Sequence, residues 1–339
     1  MKQRTLLLAG LALSALALVL IAIAPADALR AWLAATFLWS GVPIGSLGLL
    51  MTIHLTGGRW GHSLPPFLEA GALTLPILAL AILPVLAGMT LLYPWIGGGM
   101  AGFKGAWLQP LSFVIRTVLL LAGLGLILWT LVTRRWSATA LSSIGLIFLA
   151  PMTSVVMVDW LVSLDSEFHS SGFGLYAMSI QFTVALMSAI WVLLGRQPER
   201  TATLAALTIT LVLTWLYLAF TSYFIVWSGD LASVVGWYRA RGSGGWGVAI
   251  AIAALIEAGA FLALLLRRIR HSAAALRAIA AIMILGKVIE AAWLVLPQGG
   301  TMRSLPIALY ALAAIGLGLV MVQAQQWLLD RRIAARSPA

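Results

Sequence analysis

The feature that most constrains this chain is a series of apolar segments, each long enough to cross a membrane. A hydrocarbon core of ~30 Å requires roughly 20 apolar residues in helical form. The sequence contains ten such segments, separated by short polar stretches. Lipid offers the backbone no hydrogen-bonding partner, so only helices and closed barrels cross it, and the short alternating segments of a barrel are not seen. We therefore predict an all-α integral membrane protein with ten transmembrane helices.

The spans are expected to form one polytopic membrane domain over residues 1–339. The predicted spans are Thr5–Ala24, Leu29–Ile53, Pro65–Leu92, Leu108–Thr133, Ala138–Asp165, Ser171–Gly195, Thr201–Trp227, Trp246–Leu266, Ser272–Leu296 and Arg303–Leu329. The first has the basic flank of a signal peptide, but its length and the span that follows at once favour a retained helix. Only 9% of the residues are charged, against about 25% in soluble domains, so no sizeable soluble domain is expected.

The positions of Lys and Arg predict the orientation of the spans, because cytoplasmic loops are enriched in both residues. Of the 21 such residues, fourteen lie at the two termini and in or beside the even-numbered loops, and five lie in or beside the odd-numbered loops. Both termini are therefore expected in the cytoplasm, which requires an even number of spans. The net charge of +11 follows from these loops, so a nucleic acid is not an expected partner.

Glycine and aromatic residues mark three stretches that are expected to make contacts. Gly41, Gly45 and Gly48 give span two a nearly flat face, which predicts close packing against another helix, with a cofactor slot as the alternative. The loops Leu55–Gly61 and Trp227–Gly247 are expected either to anchor at the membrane surface or to dock a partner subunit. The aromatic residues expected to form a belt in the second loop are Trp227, Trp237, Tyr238 and Trp246.

Two charged residues lie at matching depths in spans four and five. Arg116 is about 12 Å and Asp159 about 9 Å below the outer face, at ~1.5 Å per helical residue. A lone charge at a helix centre costs roughly 2.5–3.5 kcal/mol in lipid. We therefore predict that Arg116 and Asp159 pair. The pair is interpreted either as a fixed link between two helices or as part of a proton or quinone path.

A second set of charges lies in spans eight and nine. Glu257 is near mid-membrane, and Lys287 and Glu290 are three residues apart on one helix face. The depths of the three groups overlap within about 10 Å. Two acids and one base leave a net negative charge if all ionise, so one carboxyl is expected to keep its proton. Such a group is a candidate proton carrier, and structural neutralisation is the alternative.

Three further candidates for a proton path lie near the membrane faces. Glu69, about 6 Å below the cytoplasmic face, and His54, at the cytoplasmic end of span two, are candidates for proton entry, although a histidine there is more often an interface residue. Asp165 is a candidate outer exit. It lies six residues from Asp159, on another helix face, so water or another helix would have to bridge the two.

Other chemistries are disfavoured. The chain has no cysteine, which excludes thiolate-bound zinc, iron–sulfur clusters and c-type haem attachment within it. The four histidines are scattered, and no pair on one span has the spacing that haem or copper ligation needs. We therefore predict no catalytic residue and no metal, and a haem-bearing cytochrome is not expected.

Four stretches of the chain resemble one protein family. They are Trp39–Gly61, Leu91–Trp95, Asp159–Tyr176 and Phe224–Trp246, and they extend from span two to span eight. They are similar to the ActF subunit of bacterial alternative complex III, within the NrfD-like, or polysulfide reductase membrane subunit-like, family. Relatives of this kind have longer terminal segments, so the contacts which those segments make are not expected here.

The resemblance implies two four-helix bundles, over residues 29–165 and 171–296, with peripheral helices over 5–24 and 303–329. It also implies a cofactor-free subunit of a quinol-oxidising complex in the bacterial inner membrane. Quinol and the iron–sulfur and haem centres are then expected in partner subunits, which include iron–sulfur and cytochrome c proteins. The implied roles are structural support and a proton path, with Asp159, Asp165 and Arg116 as the matching residues.

Two alternatives remain open at the level of sequence. The chain is either a quinol-binding NrfD-like anchor, with a site at His54 and Glu69 or at Asp159 and Arg116, or a secondary transporter. A transporter would show inverted repeats and broken mid-membrane helices. Pro76 and Pro84 in span three are a weak signal of such a broken helix.

Overall fold

The computed structural model describes residues 2–58, 63–98, 102–165, 167–196, 201–229, 232–297 and 301–336. None of these residues forms a strand. Ten helical segments among them are long and apolar enough to cross a membrane. Each overlaps one predicted span, so the predicted all-α fold with ten candidate transmembrane helices is confirmed.

The described chain forms sixteen α-helices and short 3₁₀ turns. The helices are α1 Lys2–Val19, α2 Pro25–Thr56, α3 Pro65–Ala72, α4 Leu75–Ala81, α5 Leu83–Ala87, α6 Met89–Leu92, α7 Gly102–Trp107, α8 Pro110–Val132, α9 Ala138–Leu161, α10 Phe173–Leu194, α11 Thr201–Gly229, α12 Ala232–Gly242, α13 Trp246–Leu265, α14 Arg267–Arg270, α15 Ala273–Val295 and α16 Ser304–Arg336. The 3₁₀ turns Leu20–Ala22 and Val162–Leu164 extend α1 and α9.

Span three, expected as one helix, is a run of four short helices from α3 to α6. Pro76 and Pro84 fall in the first turns of α4 and α5, where a proline needs no backbone N–H. Neither proline can donate a backbone hydrogen bond to the preceding turn, so the helix stops and restarts at each of them. The Thr74 hydroxyl donates 2.6 Å to the carbonyl of Gly71 at the first break.

The centre of the molecule is the contact between α2 and α10. Helix α2 is buried along nearly its whole length, and its glycine face lies against α10. A Cβ atom at Gly45 would lie 2.4 Å from the carbonyl oxygen of Gln181. A Cβ at Gly41 would lie 2.8 Å from Cβ of Val184. The predicted close packing of this face is therefore confirmed, with α10 as the partner.

The other long helices pack around this central pair. Helices α3, α9 and α15 each contact both α2 and α10, α11 contacts α10, and α8 and α13 pack on α9 and α15. Helix α1 packs on α16, which also packs on α2. The contact between α2 and α10 therefore lies at the centre of the helices around it, and the division of the chain into two bundles stays a prediction.

Two ion pairs link helix ends, and in each pair the charge pattern assigns both ends to the same side of the membrane. Arg303 Nη2 lies 2.5 Å from Asp27 Oδ1 at the predicted outer side, and Arg196 Nη1 lies 2.5 Å from Asp330 Oδ1 at the predicted cytoplasmic side. Of the loop residues in the topology prediction, Arg59, Trp60 and Arg200 lie outside the described residues.

The seventh loop differs from its prediction. It contains helix α12, and Trp237 and Trp246 are only 4% and 2% exposed. The expected aromatic belt is therefore wrong for these two rings, which are buried within the protein. The reason is that α12 folds over the outer end of α15. The Trp293 indole donates 2.9 Å to the carbonyl of Arg241, and Arg241 Nη2 donates 2.9 Å to the carbonyl of Leu294.

Candidate functional site

Helices α13 and α15 bring three ionisable side chains together inside the protein. Lys287 Nζ lies 2.9 Å from Glu290 Oε2 and 3.1 Å from Glu257 Oε1. Lys287 and Glu290 are 0% exposed and Glu257 is 1% exposed. The contact predicted from depth and helical spacing is thus confirmed. We call these three residues the Lys287 cluster.

The carboxyl group of Glu290 accepts hydrogen bonds from donors on three helices. The Tyr176 hydroxyl of α10 donates to Glu290 Oε1, and the Trp215 indole of α11 donates 2.7 Å to the same oxygen. Lys287 donates to Oε2, and its ammonium lies 4.0 Å from the centre of the Trp215 ring. Buried charges persist where they are paired and hydrogen-bonded, and Glu290 with Lys287 meets both conditions.

The carboxyl group of Glu257 has a different hydrogen-bonding environment. Its Oε1 lies near the Lys287 ammonium without hydrogen-bond alignment, and among the described residues neither oxygen has a hydrogen-bond partner. A buried polar oxygen without a donor is costly in its charged form. Glu257 is therefore the group in the cluster that is least suited to a permanent charge.

A cavity of about 580 Å³ adjoins the cluster on the predicted outer side. Tyr176 and Trp215 line it and also donate to Glu290, so one layer of side chains separates the cavity from the Lys287 cluster. Its wall is largely aromatic: the rings of Phe168 and Trp237 stack with centroids 4.3 Å apart. We call this space the outer cavity.

Arg241 of α12 is a buried cation on the wall of the outer cavity. Its guanidinium lies 3.8 Å from the centre of the Trp237 ring and donates to two backbone carbonyls, while Nε has no partner among the described residues. Burial lowers the pKa of Arg241 to about 9, and the negative charge of Asp165 opposes the shift. Burial raises the pKa of neighbouring Tyr238 to about 12. At neutral pH the cavity wall therefore carries a cation and a neutral phenol.

Arg116 and Asp159 form a bidentate ion pair between α8 and α9, as their depths predict. Arg116 Nε lies 2.5 Å from Asp159 Oδ2, and Nη2 lies 3.1 Å from Oδ1. The Trp107 indole donates 3.3 Å to Oδ1, and the guanidinium lies 4.4 Å from the centre of that ring. Asp159 is 0% exposed and Arg116 13%. Donors occupy both carboxylate oxygens, so the pair is closed.

Asp165 does not join this pair. Its Oδ1 accepts a 3.0 Å hydrogen bond from the backbone N–H of Glu167, and it follows the 3₁₀ turn that ends α9. Among the described residues no hydrogen bond connects its carboxylate with that of Asp159. The Ser163 hydroxyl lies between them in sequence and donates to the carbonyl of Asp159.

His54 and Glu69 share a second cavity, of about 560 Å³, at the predicted cytoplasmic side. His54 Nδ1 lies 3.0 Å from the Ser142 hydroxyl. Glu69 pairs with Arg332 of α16. The structure thus places these two candidates together and away from both buried charge sets.

Sequence reasoning missed four residues of these sites. Tyr176, Trp215 and Trp107 supply donors from apolar segments, where an aromatic residue gives no signal of its polar atom. In the charge pattern Arg241 is only a loop charge, but its spacing from Trp237, one helical turn, is a usable signal. Within the described part of the chain, no group of three histidine, cysteine, aspartate or glutamate side chains is arranged to hold a metal ion.

Comparisons with known proteins supply no family for this chain. No protein family model matches it, and no curated protein matches it. The resemblance to ActF-type subunits is therefore taken up below as a proposal that rests on the sequence motifs.

Proposed function

We propose that this chain is a membrane subunit of a quinol-oxidising respiratory complex of the alternative complex III type, and that it conducts protons. The observation that carries the proton role is the Lys287 cluster, three fully buried ionisable groups in contact beside the outer cavity. Ionisable groups inside a membrane span commonly mark ion or proton pathways. In this proposal the chain holds no cofactor, and quinol, iron–sulfur centres and haems belong to partner subunits in the bacterial inner membrane.

Within the cluster, the geometry favours different roles for the two carboxyl groups. Glu290 accepts from Tyr176, Trp215 and Lys287, so it serves as the standing counter-ion of the ammonium. Glu257 lacks aligned donors among the described residues, so we assign it the exchangeable proton. Loss of that proton leaves a carboxylate 3.1 Å from Lys287 Nζ, which stabilises the new charge. Tyr176 then links the cluster to the outer cavity.

The Arg116–Asp159 pair is less suited to this role. A carboxylate that accepts from a guanidinium and an indole makes charge-assisted hydrogen bonds, and these weaken when it takes a proton. We therefore assign the pair a structural role, as a link between α8 and α9. Asp165, Glu69 and His54 stay candidates for the ends of a path.

Direct quinol binding by this chain is the second candidate function, because the outer cavity suits a lipid-soluble ring. Ligand pockets commonly have volumes of ~300–1,000 Å³ with mostly apolar walls and a few polar groups. Leu216 and Phe220 line the cavity and are 51% and 60% exposed, so its wall reaches the surface that faces lipid. A quinone found in this cavity would decide for this candidate.

One experiment tests both parts of the proposal. The tagged chain is purified from its native membranes, and the complex is placed in vesicles with Glu257→Gln or Asp159→Asn in place. We expect iron–sulfur and cytochrome c subunits to co-purify. We expect Glu257→Gln to slow proton release during quinol oxidation by roughly tenfold or more, since a placed acid–base group is worth at least that, and Asp159→Asn to leave it unchanged.

The outcomes separate the two parts. A chain that purifies alone would contradict the complex. An assembled complex in which Glu257→Gln releases protons at the native rate would reject the relay and leave the subunit assignment standing.

A further inference from the structure

A polar pocket of about 400 Å³ lies at the end of the molecule that the charge pattern assigns to the cytoplasm. Four helices meet there: the start of α1, the end of α10, the start of α15 and the end of α16. The side chains that matter here are Gln3, Trp191, Arg196, Arg277, Gln326 and Asp330. Neither buried charge set contributes to this pocket, so its role is separate from the proposed proton path.

The charges of the pocket do not balance. Arg196 Nη1 lies 2.5 Å from Asp330 Oδ1, so these two groups neutralise each other. Arg277 forms no salt bridge with a carboxylate among the described residues. Among the described residues that line the pocket, two guanidinium groups and one carboxylate leave one net positive charge, at the predicted level of the lipid headgroups.

The surroundings of Arg277 hold its guanidinium in place without saturating it. Its Cζ lies 4.7 Å from the centre of the Trp191 ring, and its buried Nε has no acceptor among the described residues. Gly195 provides the space, because a Cβ there would lie 3.0 Å from Arg277 Nη2. A buried N–H of a charged group without an acceptor is costly. An oxygen acceptor from a bound ligand would offset that cost.

We propose that this pocket binds the phosphodiester of an anionic phospholipid from the cytoplasmic leaflet. Arginine is suited to phosphate because its planar fork matches two oxygens. One phosphodiester carries one negative charge, which equals the excess of the pocket. Basic pockets between spans on the cytoplasmic side are typical sites for anionic headgroups.

The first span favours a lipid over free phosphate as the source of that group. Gln3 lines the pocket and its amide donates 3.3 Å to Gln326. Leu6 lies one turn further into the membrane on the same helix face and is 43% exposed. An acyl chain that leaves the pocket along α1 therefore meets apolar surface.

The test uses the full-length chain, purified in detergent, with phosphatidylglycerol, phosphatidylcholine or inorganic phosphate added. Lipid adducts are counted by native mass spectrometry, and the unfolding temperature is followed in parallel. We expect phosphatidylglycerol to bind in preference to phosphatidylcholine. Arg277→Gln should weaken that binding by about tenfold, since a charge-assisted bidentate contact is lost, and Arg277→Lys should restore part of it.

Arg135→Gln is the matched control. Arg135 also lies on a tryptophan near the predicted cytoplasmic face, 4.5 Å from the centre of the Trp129 ring, but outside the pocket. This variant should bind phosphatidylglycerol like the native chain. If both variants lose phosphatidylglycerol binding equally, the attraction is unspecific. If inorganic phosphate raises the unfolding temperature as much as the lipid does, the site belongs to a soluble anion. Either outcome overturns the proposal, and Arg196→Gln repeats the test if Arg277→Gln does not fold.

Discussion

Arg116 and Asp159 show how a charge is retained inside a pair of membrane helices. The guanidinium donates two hydrogen bonds to the carboxylate, and the ring of Trp107 covers its face. Removing both charges of such a pair is often nearly neutral, whereas removing one leaves the other without a partner. The pair therefore stabilises the contact between α8 and α9 only while both of its members are present.

This asymmetry leads to a prediction for two variants. Asp159→Leu should lower the unfolding free energy by about 3 kcal/mol, the lower end of the range for a broken buried pair, because Arg116 keeps some exposure. Arg116→Met combined with Asp159→Leu should recover most of that loss. Thermal unfolding of the purified chain in detergent measures both. A double variant no more stable than Asp159→Leu alone would contradict the conditional role.

The sequence could predict which charges meet, and it could not predict what surrounds them. Matching depth along two helices predicts that Arg116 meets Asp159, and a spacing of three residues predicts that Lys287 lies beside Glu290. The donors of Glu290 come from Tyr176 and Trp215, on two other helices. Which faces of those helices meet depends on packing between distant segments, and no local pattern encodes it.

At the scale of elements, the glycine face of α2 sets the spacing of the central helix pair. Gly45 lies against the backbone of α10 at Gln181, and there a side chain has no space. Gly259 of α13 offers a comparison, because nothing lies within 4 Å of a Cβ built there. The two glycines occupy helix interiors, so they share the same backbone preference and differ in their neighbours.

We expect Gly45→Ala to destabilise the protein by about 1–3 kcal/mol, the usual cost of overpacking. Gly259→Ala should be neutral or stabilising by up to about 1 kcal/mol, since alanine is the better helix former. Unfolding of both variants in the same detergent gives the comparison. If the two substitutions have equal effects, the close contact of α2 with α10 does not determine stability.

Hydropathy located all ten spanning segments but missed how span three and the seventh loop are built. The ends of most of the ten segments lie within a few residues of the predicted boundaries, because local composition decides transfer from water to lipid. The breaks at Pro76 and Pro84 were expected only as a weak signal, since neighbouring helices decide whether a proline is tolerated. Helix α12 is too polar to resemble a span, and its burial comes from tertiary contacts with α15.

At the scale of the whole molecule, the two buried charge sets are built on different helices. The closed Arg116–Asp159 pair joins α8 and α9, whereas the Lys287 cluster beside the outer cavity joins α13 and α15. Of the two central helices, α10 contributes Tyr176, which donates to Glu290 of the Lys287 cluster. A structural pair and a candidate proton site therefore occupy different places in one packed core.

The orientation of the molecule decides which compartment the outer cavity faces, and the chain is well suited to a direct test. It has no cysteine, so each introduced thiol is the sole site for a maleimide. His271 and Thr301 are exposed and flank α15, the helix that carries Lys287 and Glu290. We expect a membrane-impermeant maleimide to label Thr301→Cys in intact cells, and His271→Cys only after the cells are permeabilised. The reverse pattern would turn the outer cavity toward the cytoplasm and place the phospholipid pocket in the outer leaflet, so this one measurement bears on both proposals.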